Sequence, residues 1–179
     1  MKFSVSRDAL LTPLNLVAGV VERRQTLPVL SNVLLNLDGN RLSITGTDLE
    51  VELVGRVALD DDGESGEITV PARKLADICK SLPDGSDLQF SVSDGKATVR
   101  SGRSRFTLAT LPAREFPNIE DSIGTHQFTL KQSELRRLIE RTGFAMAQQD
   151  VRYYLNGMYW ELRAGRLRAV ATDGHRLAI

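Results

Sequence analysis

Two Thr-Asp pairs and one acidic loop are the residues of this sequence with the clearest potential for chemistry. Thr47-Asp48 and Thr172-Asp173 each end a short β-forming run, and Asp60-Asp61-Asp62-Gly63-Glu64 is rich in carboxylates. Clustered carboxylates can bind a divalent cation, which a nuclease or a transferase could use. A loop of this composition is more commonly a solvated surface segment, so we predict no metal site and no cofactor.

Other catalytic signatures are missing from the sequence. The two histidines are His126 and His175, and no G-x-S-x-G, Walker-type loop, C-x-x-C or H-E-x-x-H is present. His175 follows a turn without an evident triad or metal partner. We therefore predict no catalytic residues and a protein that is not an enzyme. The alternative is a metal-dependent nuclease or transferase that uses Asp48, Asp173 and the acidic loop.

The Thr-Asp pairs belong to a repeat in which equivalent positions are 125 residues apart. Residues 42–49 (Leu-Ser-Ile-Thr-Gly-Thr-Asp-Leu) correspond to residues 167–174 (Leu-Arg-Ala-Val-Ala-Thr-Asp-Gly), and the offset matches apolar positions from residue 3 onward without a gap. Fixed spacing over such a length indicates a duplicated structural unit. We predict a complete domain at 1–125 and the first half of another at 126–179, and hence a longer parent protein. A standalone truncated relative is the alternative.

Each predicted domain consists of β-α-β-β-β halves. In the first half, alternation of apolar and polar residues predicts strands at 2–6, 29–37, 41–46 and 49–59. Helical spacing predicts a helix from about Leu10 to Val21, with Ser6 or Asp8 as its cap and Pro13 near its first turn. The same order recurs as a strand at 68–70, a helix from Pro71 to about Leu82, and strands at about 87–92, 96–101 and 104–110. The short connections favour antiparallel sheets with both helices on one side, an α+β fold.

The second domain is predicted to follow a linker at 112–124. The expected elements are a strand at 127–130, a helix around 131–141 with Ser133 as a possible cap, strands at 153–162 and 166–172, and the start of a third strand at 175–179. Residues 148–152 form the loop that matches the connector at 22–27. The helices and this connector are mildly basic although the formal net charge is zero.

The composition is typical of a protein from a reducing compartment. Cys79 is the single cysteine, so no internal disulfide can form, and its helical pattern predicts a buried small hydrophobe. The sequence contains no signal peptide or membrane span. We therefore expect a cytoplasmic protein without membrane contact.

Several stretches together resemble one protein family, the bacterial DNA polymerase III beta subunit or sliding clamp. The stretches are residues 1–3, 26–30 (Thr-Leu-Pro-Val-Leu), 45–50, 70–74, 101–106, 149–157 (Gln-Asp-Val-Arg-Tyr-Tyr-Leu-Asn-Gly) and 171–178 (Ala-Thr-Asp-Gly-His-Arg-Leu-Ala). The resemblance implies a DNA-clamp fold with three such domains per chain. It further implies a head-to-tail homodimer ring around double-stranded DNA, with helices on the inner face and sheets outside.

A non-catalytic processivity factor is the function that the resemblance implies. Its partners would be DNA, the polymerase III alpha subunit, the clamp loader and other proteins with a clamp-binding motif. The implied DNA contacts are Arg24, Arg73, Gln149, Tyr153 and Tyr154. Arginine and glutamine can hold phosphates, and tyrosine can pack on sugar or base without reading sequence. Considered singly, each polar residue could equally be ordinary loop surface, and both tyrosines could pack within a strand.

Two protein-binding surfaces are also implied by the resemblance. Half of a groove for partner peptides corresponds to Leu155, Thr172, Gly174, His175, Arg176 and Leu177. The ring-closing surface corresponds to Lys74, Ile78, Leu82, Arg103, Arg105, Phe106 and Leu108. We expect the 179 residues alone to bind partner peptides weakly and not to close a ring; a closed dimer retained on circular DNA would contradict this.

Overall fold

The structure is a computed structural model that describes residues 1–21, 27–117 and 127–179. The chain divides into two compact units, Met1–Asp121 (unit 1) and Ser122–Ile179 (unit 2). No helix in the described ranges is long and apolar enough to cross a membrane.

Unit 1 confirms the predicted double β-α-β-β-β order. Its elements are β1 (Lys2–Ser6), α1 (Arg7–Val17), a 3-10 turn (Pro28–Ser31), β2 (Asn32–Asp38), β3 (Arg41–Thr47), β4 (Glu52–Ala58), β5 (Gly66–Pro71), α2 (Ala72–Ser81), β6 (Asp87–Ser93), β7 (Lys96–Ser101) and β8 (Ser104–Ala109). Ser6 caps α1, because its side-chain oxygen accepts the Ala9 backbone N–H.

The two halves of unit 1 exchange their first strands. The antiparallel sheets have the orders β1-β6-β7-β8 and β4-β3-β2-β5, so β1 joins the strands of the second half and β5 joins those of the first. The exchange makes each half incomplete without the other, since each sheet takes one strand from its partner half.

The helices and both sheets enclose one apolar core. Helix α1 packs against α2, β3 and β4, and α2 packs against β2, β5 and β8. Leu14 and Val17 from α1 and Leu75 and Cys79 from α2 are fully buried. Each such aliphatic side chain contributes about 1.5–3 kcal/mol through burial. The same burial raises the pKa of the Cys79 thiol to about 11, so Cys79 is an unreactive core residue, as predicted.

Pro13 differs from the prediction because it lies in the second turn of α1. Its ring packs on β4, where Gly55 leaves space for it: a Cβ added at Gly55 would lie 2.6 Å from Pro13 Cβ. The missing side chain of Gly55 therefore permits the close approach of α1 to the sheet.

Unit 2 repeats the first half of unit 1. Its elements are α3 (Gln132–Thr142), 3-10 turns at Gly143–Ala145 and Tyr153–Asn156, β9 (Tyr159–Arg163), β10 (Arg166–Thr172) and β11 (Leu177–Ala178), in the sheet order β11-β10-β9. Helix α3, the second 3-10 turn and β10 begin and end at the counterparts of α1, Pro28–Ser31 and β3. The repeat read from the sequence is thus a repeat of structure.

Several predictions of local structure are wrong. Residues 127–130 form no strand, because their counterpart β1 depends on β6 for its ladder and they have no such partner in the described part of unit 2. The strands predicted from residues 29 and 153 begin at Asn32 and Tyr159, each after a 3-10 turn. The strand predicted from residue 49 begins at Glu52, and the helix predicted to reach Val21 ends at Val17. Lys131, with no side-chain cap bond, occupies the cap position proposed for Ser133.

Candidate nucleic-acid and partner interfaces

A loop at residues 149–156 of unit 2 is braced by hydrogen bonds among its own side chains. The Asp150 carboxylate accepts the backbone N–H of Arg152 at 2.8 Å and its guanidinium Nε and Nη2 at 3.0 and 2.8 Å. Asn156 accepts the Asp150 N–H at 2.9 Å through Oδ1 and donates Nδ2 to the Asp150 carbonyl at 3.0 Å. These closed rings of hydrogen bonds fix the loop without a strand partner.

The bracing leaves three of the predicted DNA-contacting side chains in solvent. Tyr153 is 81% and Tyr154 is 68% exposed, and their rings meet edge to face with centroids 6.0 Å apart. Gln149 is exposed as well, with a left-handed φ of 57°. Packing of the tyrosines within a strand is therefore wrong. Exposed aromatic rings on a rigid loop are typical of a binding surface.

Arg73 occupies the second position of α2 in unit 1. Its side chain is exposed, and Nη2 donates to the Val21 carbonyl at 3.4 Å. The helix N-terminus adds positive potential there, so a phosphate would meet both the guanidinium and the helix dipole. The prediction for Arg24 lies outside the described residues.

The Thr172–Leu177 segment forms a tight turn at the end of β10. Thr172 Oγ1 accepts the Gly174 N–H at 3.0 Å and donates to the Arg176 carbonyl at 2.6 Å. Asp173 accepts the backbone N–H groups of His175 and Arg176, both at 2.9 Å, and the Arg176 Nε at 2.9 Å. Gly174 has φ 89°, which a side chain would strain.

Arg152 joins this turn to the braced loop. Its Nη2 donates to the Asp173 carbonyl at 3.4 Å, and a Cβ at Gly174 would lie 3.3 Å from its Nη1. Leu155, half-buried, donates its N–H to the Arg152 carbonyl at 2.8 Å. The structure thus brings the two segments that carry the predicted groove residues together. Sequence reasoning missed this brace, which the Asp150-x-Arg152 spacing could have suggested.

Phe144 is another residue of this region that the sequence did not reveal. It is 60% exposed, and the Arg176 guanidinium lies 5.7 Å from the centroid of its ring. Leu177, next to Arg176, is 61% exposed. An arginine over an aromatic ring beside an exposed leucine offers cation–π and apolar contacts to a peptide.

The Thr-Asp repeat has the same geometry in both units. Thr47 Oγ1 accepts the Leu49 N–H at 3.0 Å, and Asp48 accepts the N–H groups of Glu50 and Val51 at 2.9 and 2.7 Å. Both aspartates therefore cap turns. Within the described ranges, no three His, Cys, Asp or Glu side chains are grouped as metal ligands.

The pKa values of Asp150 and Asp173 are depressed to about 2 for different reasons. The largest cause for Asp150 is its hydrogen bond from the Arg152 side chain, and for Asp173 it is the backbone N–H of His175. A carboxyl with a lowered folded-state pKa stabilises the fold above its unfolded value of about 3.9 and loses that contribution as pH falls toward 2. In NMR, we expect the side-chain carboxyl-carbon resonances of both aspartates to titrate well below pH 3.9.

An Arg152→Ala variant separates the two causes. The pKa of Asp150 should rise because its main donor is removed, whereas the pKa of Asp173 should stay low because its backbone donors remain. If both carboxyls of the unsubstituted protein titrated near pH 3.9, the hydrogen bonds to Asp150 and Asp173 would not be formed in solution.

The predicted ring-closing residues differ in their exposure. Lys74, Arg103 and Arg105 are exposed and Phe106 is half-buried. Ile78, Leu82 and Leu108 belong to the core of unit 1, with 9%, 8% and 7% of their surface exposed. Strand β8 carries three of these residues, Arg105, Phe106 and Leu108. Among the described residues it is an edge strand of its sheet, a position from which backbone groups can pair with another strand.

Comparison with known proteins identifies the family. Residues 1–120 match the domain family described as "DNA polymerase III beta subunit, N-terminal domain". Residues 129–179 match the family described as "DNA polymerase III beta subunit, central domain". The chain belongs to the DNA polymerase III beta subunit family. The beta sliding clamps of Pseudomonas aeruginosa and Escherichia coli K12 are 67% and 55% identical to it over all 179 residues.

Solved structures of this family share the fold. The crystal structure of the Pseudomonas aeruginosa DNA polymerase III subunit beta matches with a TM-score of 0.96 and 67% identity, covering 99% of this chain and 48% of that one. The Caulobacter crescentus polymerase III beta matches with a TM-score of 0.90 and 44% identity, covering 99% and 49%. The α+β clamp fold is thus confirmed, and the chain spans about half the length of its curated relatives.

Proposed function

We propose that this chain is part of a DNA sliding clamp, the processivity factor of the bacterial replicative polymerase. The observation that carries the proposal is the braced loop of unit 2, which holds Gln149, Tyr153 and Tyr154 in solvent. In the sequence repeat, Gln149 is the counterpart of Arg24. Two equivalent positions of the duplicated unit thus carry side chains that suit phosphate contacts.

These side chains would hold DNA without reading its sequence. Arg73 supplies charge beside a helix N-terminus, Gln149 supplies hydrogen bonds, and the tyrosine pair supplies flat apolar surface for sugars. Contacts of these kinds go to groups that every base pair shares. A clamp bound in this way could move along duplex DNA while remaining attached to it.

The clamp performs no chemical step in this proposal. We assign residues 1–125 to a complete clamp domain and 126–179 to the first half of the next. Paired head to tail with a second chain, the three-domain parent would encircle DNA in the cytoplasm. It would tether the polymerase III alpha subunit, the clamp loader and other clamp-motif proteins through the groove at Leu155 and 172–177. Tethering raises the polymerase's effective concentration at the primer end.

Salt-dependent binding to duplex DNA tests this proposal. We expect fluorescence anisotropy to give equal affinities for two duplexes of unrelated sequence, with a steep fall as salt increases. Arg73→Ala should reduce the slope of log K against log salt by about one, since one phosphate contact is lost.

The matched control is Arg100→Ala. Arg100 is an exposed arginine of β7, a strand that turns Ala97 and Val99 into the core and leaves Arg100 on the opposite face of the sheet. Its removal should leave the slope nearly unchanged. Strong preference for one duplex, or equal effects of the two substitutions, would contradict the proposal.

A further inference from the structure

Strands β9 and β10 of unit 2 carry a basic concavity on the face that is turned away from α3. Their apolar residues, such as Leu162 and Leu167, face Leu135 of α3. The other face has a concavity of about 280 Å³, which we call the arginine patch; its lining residues are Glu161, Arg163, Ala164, Arg166 and Arg168. Three arginines accompany one glutamate, so positive charge dominates the patch.

A tight turn holds two of these arginines opposite each other. Ala164 and Gly165 connect the strands with φ 49° and 72°, and positive values at both residues are typical of a type I′ hairpin. Arg163 and Arg166 flank this turn as an exposed cross-strand pair. Like charges directly opposite each other destabilise a sheet. In the described part of unit 2, neither arginine of the pair takes part in an ion pair.

The same position of unit 1 carries opposite charges. Asp38 and Arg41, 125 residues before Arg163 and Arg166, form the equivalent cross-strand pair of β2 and β3. The two hairpins therefore differ in charge and not in register. An aspartate fits the first position of the pair and neutralises its neighbour, so the stability of the hairpin does not account for Arg163. A ligand of negative charge does.

The outward face at this hairpin stays exposed in a complete domain. Unit 1 contains both of its halves, and Asp38 and Arg41 are nevertheless exposed. They line a concavity of about 490 Å³ on the same face of the sheet, together with Asn36, Ser43 and Arg56. The second half of a domain thus leaves this place open to solvent.

Two further cross-strand pairs continue the outward face from the arginine pair. Glu161 pairs with Arg168, and their side chains form a salt bridge of 3.2 Å. Next in line, the exposed Tyr159 pairs with the half-buried Val170. Successive pairs on one face are two residues, or about 7 Å, apart. The face therefore presents a positive, a neutral and an apolar position in a row.

We propose that the arginine patch binds an extended acidic segment of a partner protein. An extended peptide also presents alternate side chains about 7 Å apart. A carboxylate at its position i then meets Arg163 and Arg166, a polar side chain at i+2 faces the salt bridge, and an apolar side chain at i+4 packs on Tyr159. Guanidinium groups bind carboxylates through paired, charge-assisted hydrogen bonds. A nucleic-acid strand fits less well, because Glu161 repels its evenly spaced phosphates.

NMR of the 179-residue chain with a short synthetic peptide tests the proposal. The probe contains the sequence Glu-Gly-Ser-Gly-Leu. At low salt, the side-chain Nε–H signals of Arg163 and Arg166 should shift with a Kd of roughly 0.1–1 mM, in keeping with a few charge-assisted contacts. A lysine in place of the peptide glutamate should abolish the shifts. A serine in place of the leucine should weaken binding about fivefold, because the apolar contact with Tyr159 is lost.

Arg163→Asp should change stability and binding in opposite directions. It recreates the acidic–basic pair of unit 1, so the unfolding midpoint of unit 2, followed by Trp160 fluorescence, should rise. Peptide binding should weaken about tenfold or more. Arg137→Asp is the matched control, since it makes the same change in charge at an exposed position of α3 and should leave the peptide affinity nearly unchanged.

Three results would overturn the proposal: absence of the arginine shifts, equal loss of affinity in the two variants, or a lower unfolding midpoint for Arg163→Asp. A DNA duplex that shifts these signals when the peptide does not would also overturn it, by making the patch a nucleic-acid contact. The patch shares no residue with Arg73 or the braced loop. Failure here therefore leaves the proposed DNA contacts untouched, and their failure leaves the patch untouched.

Discussion

Replacing Leu37 by alanine is expected to lower the unfolding free energy of unit 1 by about 2–5 kcal/mol, whereas Leu162→Ala should cost unit 2 less than about 1 kcal/mol. The two leucines are counterparts in the repeat, but Leu37 is 2% exposed and Leu162 is 47% exposed. Only the first substitution leaves a cavity in a closed core. The same chemical change at equivalent positions should therefore have very different effects.

The distribution of aromatic residues allows the two units to be followed separately. The single tryptophan, Trp160, and all three tyrosines lie in unit 2, so intrinsic fluorescence reports that unit. Hydrogen exchange of peptides from β2, β3 and β6 reports unit 1. Equal destabilisation by both substitutions would show that Leu162 is as buried in solution as Leu37, contrary to the structure.

The double substitution Tyr153→Ala, Tyr154→Ala should weaken duplex binding by about tenfold or more. A base stacked on an aromatic ring in single-stranded nucleic acid is worth about 1–3 kcal/mol. We take the low end of that range for each ring, because a duplex offers its sugars and not free base faces. Because no charge is removed, the salt slope should stay close to that of the unsubstituted protein. The measurement is anisotropy at several salt concentrations.

Tyr159→Ala provides the matched control for this double substitution. Tyr159 is 65% exposed, comparable with Tyr154, but it lies on β9 outside the braced loop. Its removal should change the affinity for DNA little. If Tyr159→Ala weakened binding as much as the double substitution, the loop would have no special part in holding DNA.

The sequence repeat predicted most of the fold because both copies place apolar residues at the same positions of the same helix and strands. Apolar positions at a fixed offset of 125 residues located α3 and β10 through α1 and β3. The short antiparallel hairpins of unit 1 were predictable for a different reason. The Asp94-Gly95 turn has positive φ at both residues, 52° and 68°, which the sequence itself favours.

The errors arose where a partner far along the chain, or a polar side chain, decides the local structure. Alternation at 127–130 indicates a strand, but a strand also needs a ladder partner, which alternation cannot supply. The 3-10 turn at Tyr153–Asn156 was hidden by strand-forming tyrosines, although its counterpart begins at Pro28. The Asp48 turn delays β4 until Glu52 because its carboxylate binds the backbone first.

The candidate site was only partly accessible from sequence. Resemblance located Gln149, Tyr153 and Tyr154, but not the Asp150 and Arg152 brace that holds them. Side-chain hydrogen bonds within a loop follow no period, so neither alternation nor helical spacing reveals them. Burial of the ring-closing candidates Ile78 and Leu108 likewise depends on how α2 packs on β8.

A hydrogen-exchange footprint on duplex DNA tests the central claim most directly. With DNA in excess at low salt, we expect slower exchange at residues 71–74 and 149–156, and unchanged exchange at 41–47 in β3 and at 96–101 in β7. Those strands carry none of the proposed contacts. Protection of the sheet strands, with no change at Arg73 and the braced loop, would contradict the account.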